Sequence, residues 1–346
     1  MKNTSSQAIN TTNAFNAGAD MSERENEIIE DILRTTNFKS EEIIWRSSYW
    51  GTSQIGAVHY RGKFNGKPAV LKIQGVKPDV SETDMIRHFA EQNRSKIVRS
   101  PILFQTIPWV DKKGFEALIM EYVPGPKLLE SKRLQTKENI HEFYEVYKEY
   151  RINCLPLTPW LPRPKPLNYR EVLEKLITTS DKAYPNDSRK KSGDIDLAKQ
   201  AYEVLVKVYS ERQLEFMHGH FSVEDLLRSG EQVVIFSNLF WKYRAPFFDA
   251  IFGYHWFMFE LGHIDNITPD QIEKQRSLWL KEIFSLPFIV NSPENTLLIK
   301  AALLERATAG FILDSLLIDP KKTIATYLTE SCRDQAKKLI TDIEHS

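Results

Sequence analysis

Residues 214–249 read LEFMHGHFSVEDLLRSGEQVVIFSNLFWKYRAPFFD. An apolar segment at Leu214–Met217 enters a tight polar turn, His218-Gly219-His220. A hairpin follows, with the β-rich run QVVIF at residues 232–236, and an aromatic loop then closes on Asp249. A polar turn at a strand end and a second loop offering a carboxylate form a pair of site-building loops. The rest of the chain is read around them.

Composition sets the bounds. Lysine plus arginine equals aspartate plus glutamate at 46 each, so no net field draws the chain to nucleic acid or to an anionic membrane surface. Neither is expected as a partner. The aromatic run AIFGYHWFMFELG is too short for a membrane span and is interrupted by glycine and histidine. Cys154 and Cys332 lie far apart without metal-ligand spacing, which favours free thiols in a reducing compartment, and the cytoplasm is the expected location. Residues 1–21, rich in Asn, Thr, Ser and Ala, read as a disordered tail, and Met21 opens a more ordinary start.

The pattern over residues 22–120 predicts a β-rich domain. A short amphipathic helix carrying Ile28, Ile29, Ile32 and Leu33 leads into three antiparallel strands, with Asn65-Gly66 as a hairpin turn. Lys72 lies inside the apolar strand AVLKI, where an ammonium group is costly unless an anion meets it. Glu82 begins the helix SETDMIRHFAEQN behind Ser81 as N-cap, and a strand lysine facing a helix glutamate is a phosphate-positioning pair. A snorkelling lysine and a first-turn glutamate are the plain alternative. The turn Gly51-Thr52-Ser53 could fold over phosphates through its backbone N–H groups, although it lacks the several glycines of a phosphate loop.

Further on, LIMEYVPGPKL at residues 118–128 ends a strand in a proline–glycine turn, and LPLTPWLPRPKPLNY is a proline-rich loop. Beyond it, the chain up to Gln213 and again after Asp249 is helical by pattern, except for a polar stretch YPNDSRKKSGD read as mobile. A small β-rich region, a linker and a large helical region make an α+β chain: residues 22–120 as N-lobe, 121–128 as hinge and 129–346 as helical C-lobe.

With the hinge-like LIMEYVPGPKL and Lys72 in place, His218-Gly219-His220-Phe221-Ser222-Val223-Glu224-Asp225-Leu226-Leu227 aligns without a gap on the pattern H-G-D-L-x-x-x-N-I-L. The chain thereby resembles the aminoglycoside phosphotransferase and choline kinase-like family, over roughly residues 40–262. The resemblance implies a bilobal protein-kinase-like fold and ATP with magnesium as cofactors. It assigns nucleotide contacts to Lys72, Glu82, the Gly51-Thr52-Ser53 turn and the main chain of Glu121 and Val123. It also implies an acceptor surface between hinge and catalytic loop, where Trp160, Arg163 and Tyr169 could serve, or simply pack. The family's catalytic aspartate falls on His220, its metal-binding asparagine on Asp225, and the second metal aspartate on Ser237.

These substitutions decide the expected function. Phosphoryl transfer depends on charge neutralisation by magnesium, and no carboxylate stands at Ser237 or at the neighbouring Phe236 and Ile235. The expectation is a catalytically impaired, nucleotide-binding pseudokinase with an unknown small-molecule or protein partner. Two alternatives stay open: an active phosphotransferase using His220 as base and Asp225 for magnesium, and an interaction module that binds no nucleotide. A zinc site drawn from His218, His220, Asp225, His255 and His263 is a lesser reading, since these histidines fit packing roles.

Overall fold

A computed structural model describes residues 22–48, 55–78, 80–163, 168–210 and 214–345. They divide into two compact units. One holds residues up to Arg87 together with Ser100–Pro124, and the other holds His88–Arg99 and Gly125 onward. The 1–21 tail lies outside the described residues.

In the first unit, α1 (Ser22–Thr35) precedes β1 (Phe38–Ser48), β2 (Ile55–Phe64) and β3 (Lys67–Gln74). Then α2 (Glu82–Gln92) begins, and it continues past the boundary between the units. A two-residue strand β4 (Val98–Arg99) belongs to the second unit, and β5 (Leu103–Val110) and β6 (Phe115–Glu121) complete the first. The five longer strands form one antiparallel sheet in the order β1-β2-β3-β6-β5. Asn65 and Gly66 both adopt positive φ, 50° and 79°, the conformation a two-residue hairpin requires.

The sheet separates two chemistries. Ala69, Leu71 and Ile73 of β3 pack with Val58, Tyr60, Phe115, Ala117 and Ile119 against Ile28, Ile29 and Ile32 of α1. Strand alternation puts Val70, Lys72 and Gln74 on the other face, equally buried, where α2 meets them. Lys72 therefore sits on a central strand.

The second unit is mainly helical. It contains α3 (Lys137–Glu149), a π-helical turn (Tyr150–Cys154), α4 (Tyr169–Ala183), α5 (Asp194–Tyr209), α6 (Phe248–Leu261), α7 (Pro269–Phe284), the short α8 (Pro287–Val290), α9 (Pro293–Ile312) and α10 (Thr323–Glu344). Between α5 and α6 lie β7 (Glu215–Met217), β8 (Leu226–Ser229), β9 (Gln232–Ile235) and β10 (Lys242–Arg244). These make a β4-β9-β8 sheet and a β10-β7 pair. Helix α6 is buried around nearly its whole circumference, and Gly253 within it is a close-approach position: a Cβ there would stand 2.5 Å from the Phe143 ring of α3.

The polar stretch 184–194 is pinned, contrary to its reading as mobile. Arg189 is 4% exposed and donates to the carbonyls of Ser315, Leu316 and Ile318, each at 3.0 Å, while Asp187 neutralises it. Arg333 of α10 ties Asp194 to the same region at 2.6 Å. Composition alone reads such a stretch as solvated, because its anchoring partners lie more than a hundred residues away.

Candidate active site

Strand β7 delivers the chain to His218-Gly219-His220. Gly219 has φ +73°, and a Cβ there would lie 2.8 Å from the Phe240 carbonyl oxygen, so both backbone and space demand glycine. Phe221 then anchors the turn, its ring 4.8 Å from that of Tyr150 and 5.4 Å from that of Phe143. The hydroxyl of Ser222 accepts from the Glu224 N–H at 3.3 Å and starts a helical turn ending in Asp225.

A second support lies beneath the turn. The Tyr150 hydroxyl donates to Asp249 Oδ2 at 2.7 Å and accepts from the His218 N–H at 2.8 Å, while the Gly219 N–H donates to the same carboxylate at 3.2 Å. The π-helical turn after α3 is what carries Tyr150 here, and such turns commonly mark functional regions. Burial holds the Asp249 carboxyl above its ordinary range, against the pull of Tyr150 and Gly219. In the sequence Asp249 reads only as the end of a loop, and Tyr150 has the spacing of a core tyrosine, which gives no sign of this role.

Three side chains assigned by the resemblance come together. The Phe236 N–H donates to the Asp225 carbonyl at 2.9 Å, which brings the next residue, Ser237, against the Asp225 side chain. The Ser237 hydroxyl donates to Asp225 Oδ1 at 2.6 Å, and His220 Nδ1 lies 2.5 Å from Asp225 Oδ2. Burial alone would raise the Asp225 carboxyl, but His220 and the Ser237 hydroxyl outweigh it and hold it below the usual range. The imidazole is fixed from the side as well, stacked on Phe240 at 4.3 Å and tilted against Phe252 at 4.7 Å. In the neutral tautomer that donates through Nδ1 to this carboxylate, the lone pair lies on Nε2.

Ser237 adopts φ 59°, ψ 38°, the left-handed region that a non-glycine residue seldom occupies. Its neighbour Asn238 is fully buried, donating to the Ile235 carbonyl at 2.9 Å and accepting from the Trp241 indole at 3.1 Å, which locks this loop.

In the first unit, Lys72 Nζ donates to Glu82 Oε2 at 2.5 Å and Gln74 Nε2 donates to the same oxygen at 2.8 Å. Glu116 stands cross-strand from Gln74, is buried, and has its acid pushed up to about 7, by burial first and then by Glu82, with Lys72 opposing. Nothing in the sequence pattern marked Gln74 or Glu116. The Glu121 N–H is donated to the Ile102 carbonyl at 2.9 Å, so a contact from Glu121 to a ligand would come through its own carbonyl. Val123 is buried. Gly51, Thr52 and Ser53 lie outside the described residues.

Of the other sequence candidates, Trp160 packs at 4.8 Å on Phe216 and 5.0 Å on Trp241, a structural position. His255 bonds Asp314 at 2.8 Å, and no group of three metal-capable side chains occurs among the described residues. Cys154 and Cys332 are free and buried.

His218 gives the site a measurable pH dependence. Burial pushes its ring down to about 3, so it stays neutral in the fold, whereas in the unfolded chain it takes a proton near pH 6.5. The unfolded state binds more protons between these values, so stability falls as pH drops from about 6.5 toward about 3, by a few kcal/mol in total. Urea titrations at pH 7 and pH 5 should show this slope in the natural chain and a clearly shallower one in His218→Gln.

No family model matches the chain, and no curated protein matches it in sequence. Its structure does match solved ones. A choline kinase from Cryptosporidium parvum aligns with TM-score 0.56 at 12% identity, over 92% of this chain and 97% of that one. The microcompartment-associated aminopropanol kinase aligns at 0.54 and 10% identity, over 92% and 98%. A thermostable mutant of aminoglycoside phosphotransferase APH(4)-Ia, in ternary complex with AMP-PNP and hygromycin B, aligns at 0.54 and 11% identity, over 90% and 98%. The fold is that of the protein-kinase-like small-molecule kinases, an antiparallel β-rich N-terminal part and a helical C-terminal part.

That fold implies magnesium, and the donor set here does not fit it. Magnesium takes near-octahedral oxygen ligation through one or two carboxylates plus phosphate and water. The two positions that would supply ligands, Asp225 and Ser237, are hydrogen-bonded to each other, and the remaining Asp225 oxygen is engaged by His220.

Proposed function

We propose that this chain is a kinase-fold nucleotide-binding protein in which metal-assisted phosphoryl transfer is impaired. The observation that carries this reading is the His220–Asp225–Ser237 chain, in which each oxygen of the Asp225 carboxylate already meets one of the other two side chains. A phosphotransferase gains most of its rate from charge neutralisation at the transferred phosphoryl group. A carboxylate compensated by an imidazole and a hydroxyl contributes little to that.

Nucleotide binding is supported by the Lys72–Glu82 pair. Lys72 projects from a rigid central strand, oriented by a glutamate that Gln74 holds in turn. A chain needing only a scaffold has no use for a buried ammonium group at that cost. The chemistry of the pair suits a phosphate, and Lys72 would hold it.

A second reading has one observation in its favour. Asp225 orients His220 so that Nε2 can take a proton, which a base for a hydroxyl acceptor requires.

Calorimetric titration with ATP, with and without magnesium, together with a turnover assay, separates the two readings. The expected result is binding whose affinity magnesium barely changes, lost in Lys72→Met, with no steady turnover. Magnesium-dependent turnover that disappears in His220→Ala would establish the second reading instead, and absence of any ATP binding would overturn both.

A further inference from the structure

Strand alternation puts Glu116, Leu118 and Met120 of β6 on the face of the sheet that α2 covers, across from Gln74, Lys72 and Val70 of β3. Buried leucine, methionine and valine are the expected lining there. Position 116 carries a carboxyl instead. Glu116 is 5% exposed, and its Oε1 is buried without a hydrogen-bond partner among the described residues.

The register fixes what this carboxyl meets. Gln74 stands directly opposite on β3, and Lys72 is the diagonal neighbour, a separation of about 7–8 Å that two long side chains span. Gln74 and Lys72 both donate to Glu82 Oε2 from α2, at 2.8 Å and 2.5 Å. Asp84 of α2 is exposed and paired with Arg87 at 3.6 Å, and β5, on the far side of β6, has no titratable residue between Leu103 and Val110. One ammonium group thus serves two buried carboxyls. With both ionised the cluster would hold net negative charge away from water, which is costly, so one proton is retained. Glu82 already accepts two short hydrogen bonds, which leaves the proton to Glu116. Burial first and then Glu82 push the Glu116 acid up to about 7, with Lys72 opposing, so it changes charge across neutral pH.

We propose that Glu116 is a proton-linked positioning residue for the phosphate site at Lys72. Protonated, it leaves the ammonium group to Glu82 and to an incoming phosphate. Ionised, it draws Lys72 along the sheet and repels the phosphate. A bound phosphate adds negative charge beside Glu116 and favours its protonated form, so nucleotide binding and proton uptake assist each other. This role rests on the reading of Lys72 as the phosphate-holding group.

Calorimetric titration of the full chain with ATP at pH 6 and pH 8 tests the role, with Glu116→Gln run beside the natural chain so that the ionisation of ATP itself cancels. From pH 6 to pH 8 the natural chain should lose about tenfold more affinity than the variant, because a carboxyl that titrates near 7 must be reprotonated at the higher pH. Near pH 7, buffers of different ionisation enthalpy should reveal more proton uptake on binding in the natural chain than in the variant. Without nucleotide, Glu116→Gln should raise the melting temperature more at pH 8 than at pH 5. The sign follows because an acid held above its ordinary 4.5 in the fold takes stability away as pH rises through that range. Should Glu116→Gln not fold, Glu116→Leu takes its place in each measurement. ATP binding with the same pH dependence in both chains, or a melting difference indifferent to pH, would overturn the role of Glu116 and leave the nucleotide reading standing. Absence of ATP binding by the natural chain at pH 6 would overturn the nucleotide reading and this role with it.

Discussion

Replacing Glu82 with alanine is expected to lower the unfolding free energy of the N-terminal unit by about 3–5 kcal/mol, the usual cost of stranding one member of a buried ion pair. Lys72 and Glu82 have side-chain exposures of 8% and 3%, so water cannot take over the role of the lost partner. Gln74 would lose its acceptor in the same step. One group can soften the effect: Glu116, already beside the pair and with its acid near 7, can ionise and turn to Lys72. The double variant Glu82→Ala/Glu116→Gln should therefore show a larger loss than Glu82→Ala alone, whereas Lys72→Met/Glu82→Leu, which removes both charges, should cost far less. Denaturant titration measures all three. A loss below about 1 kcal/mol in Glu82→Ala would mean that the pair is exposed in solution.

The second large effect concerns chemistry. The triple variant His220→Asp/Asp225→Asn/Ser237→Asp restores the residue types that the resemblance assigns to these positions, and it should raise magnesium-dependent ATP turnover over the natural chain by at least about 10²-fold, the lower end of what a positioned base contributes. The backbone is prepared for the change. Ser237 occupies the left-handed region at φ 59°, which aspartate tolerates better than serine, so a carboxylate there should be accepted without strain. The same substitutions open the His220–Asp225–Ser237 chain and free the oxygen ligands that magnesium requires. A variant that folds normally and binds ATP but shows no magnesium-dependent turnover would locate the impairment elsewhere in the fold.

Much of the frame was legible in the chain because the signals were local. Asn65-Gly66 carries its own hairpin geometry, the alternation in AVLKI places Lys72 opposite the core side chains, and the HGH turn announces itself through a glycine no other residue could replace. What was not legible depends on partners distant in sequence. Arg189 reads as part of a solvated polar run until the carbonyls of the 315–318 turn take it up. Tyr150 has helical spacing like any core tyrosine, and only the π-helical turn aims its hydroxyl at Asp249 and His218. Glu116 and Glu305 look like ordinary surface glutamates in one dimension. Their burial is a property of the packed fold.

The tyrosine hydroxyl beneath the HGH turn bears on how relatives of this chain would be recognised. Tyr150, Gly219 and Asp249 hold the turn through contacts that stabilise the folded state whether or not any reaction follows. A change at His220, Asp225 or Ser237 leaves this support in place, whereas a change at Tyr150 or Asp249 removes part of it. A sequence pattern built on a tyrosine at a helix end, an HG turn and an aspartate at the start of the next long helix follows this support and not the chemistry of the turn.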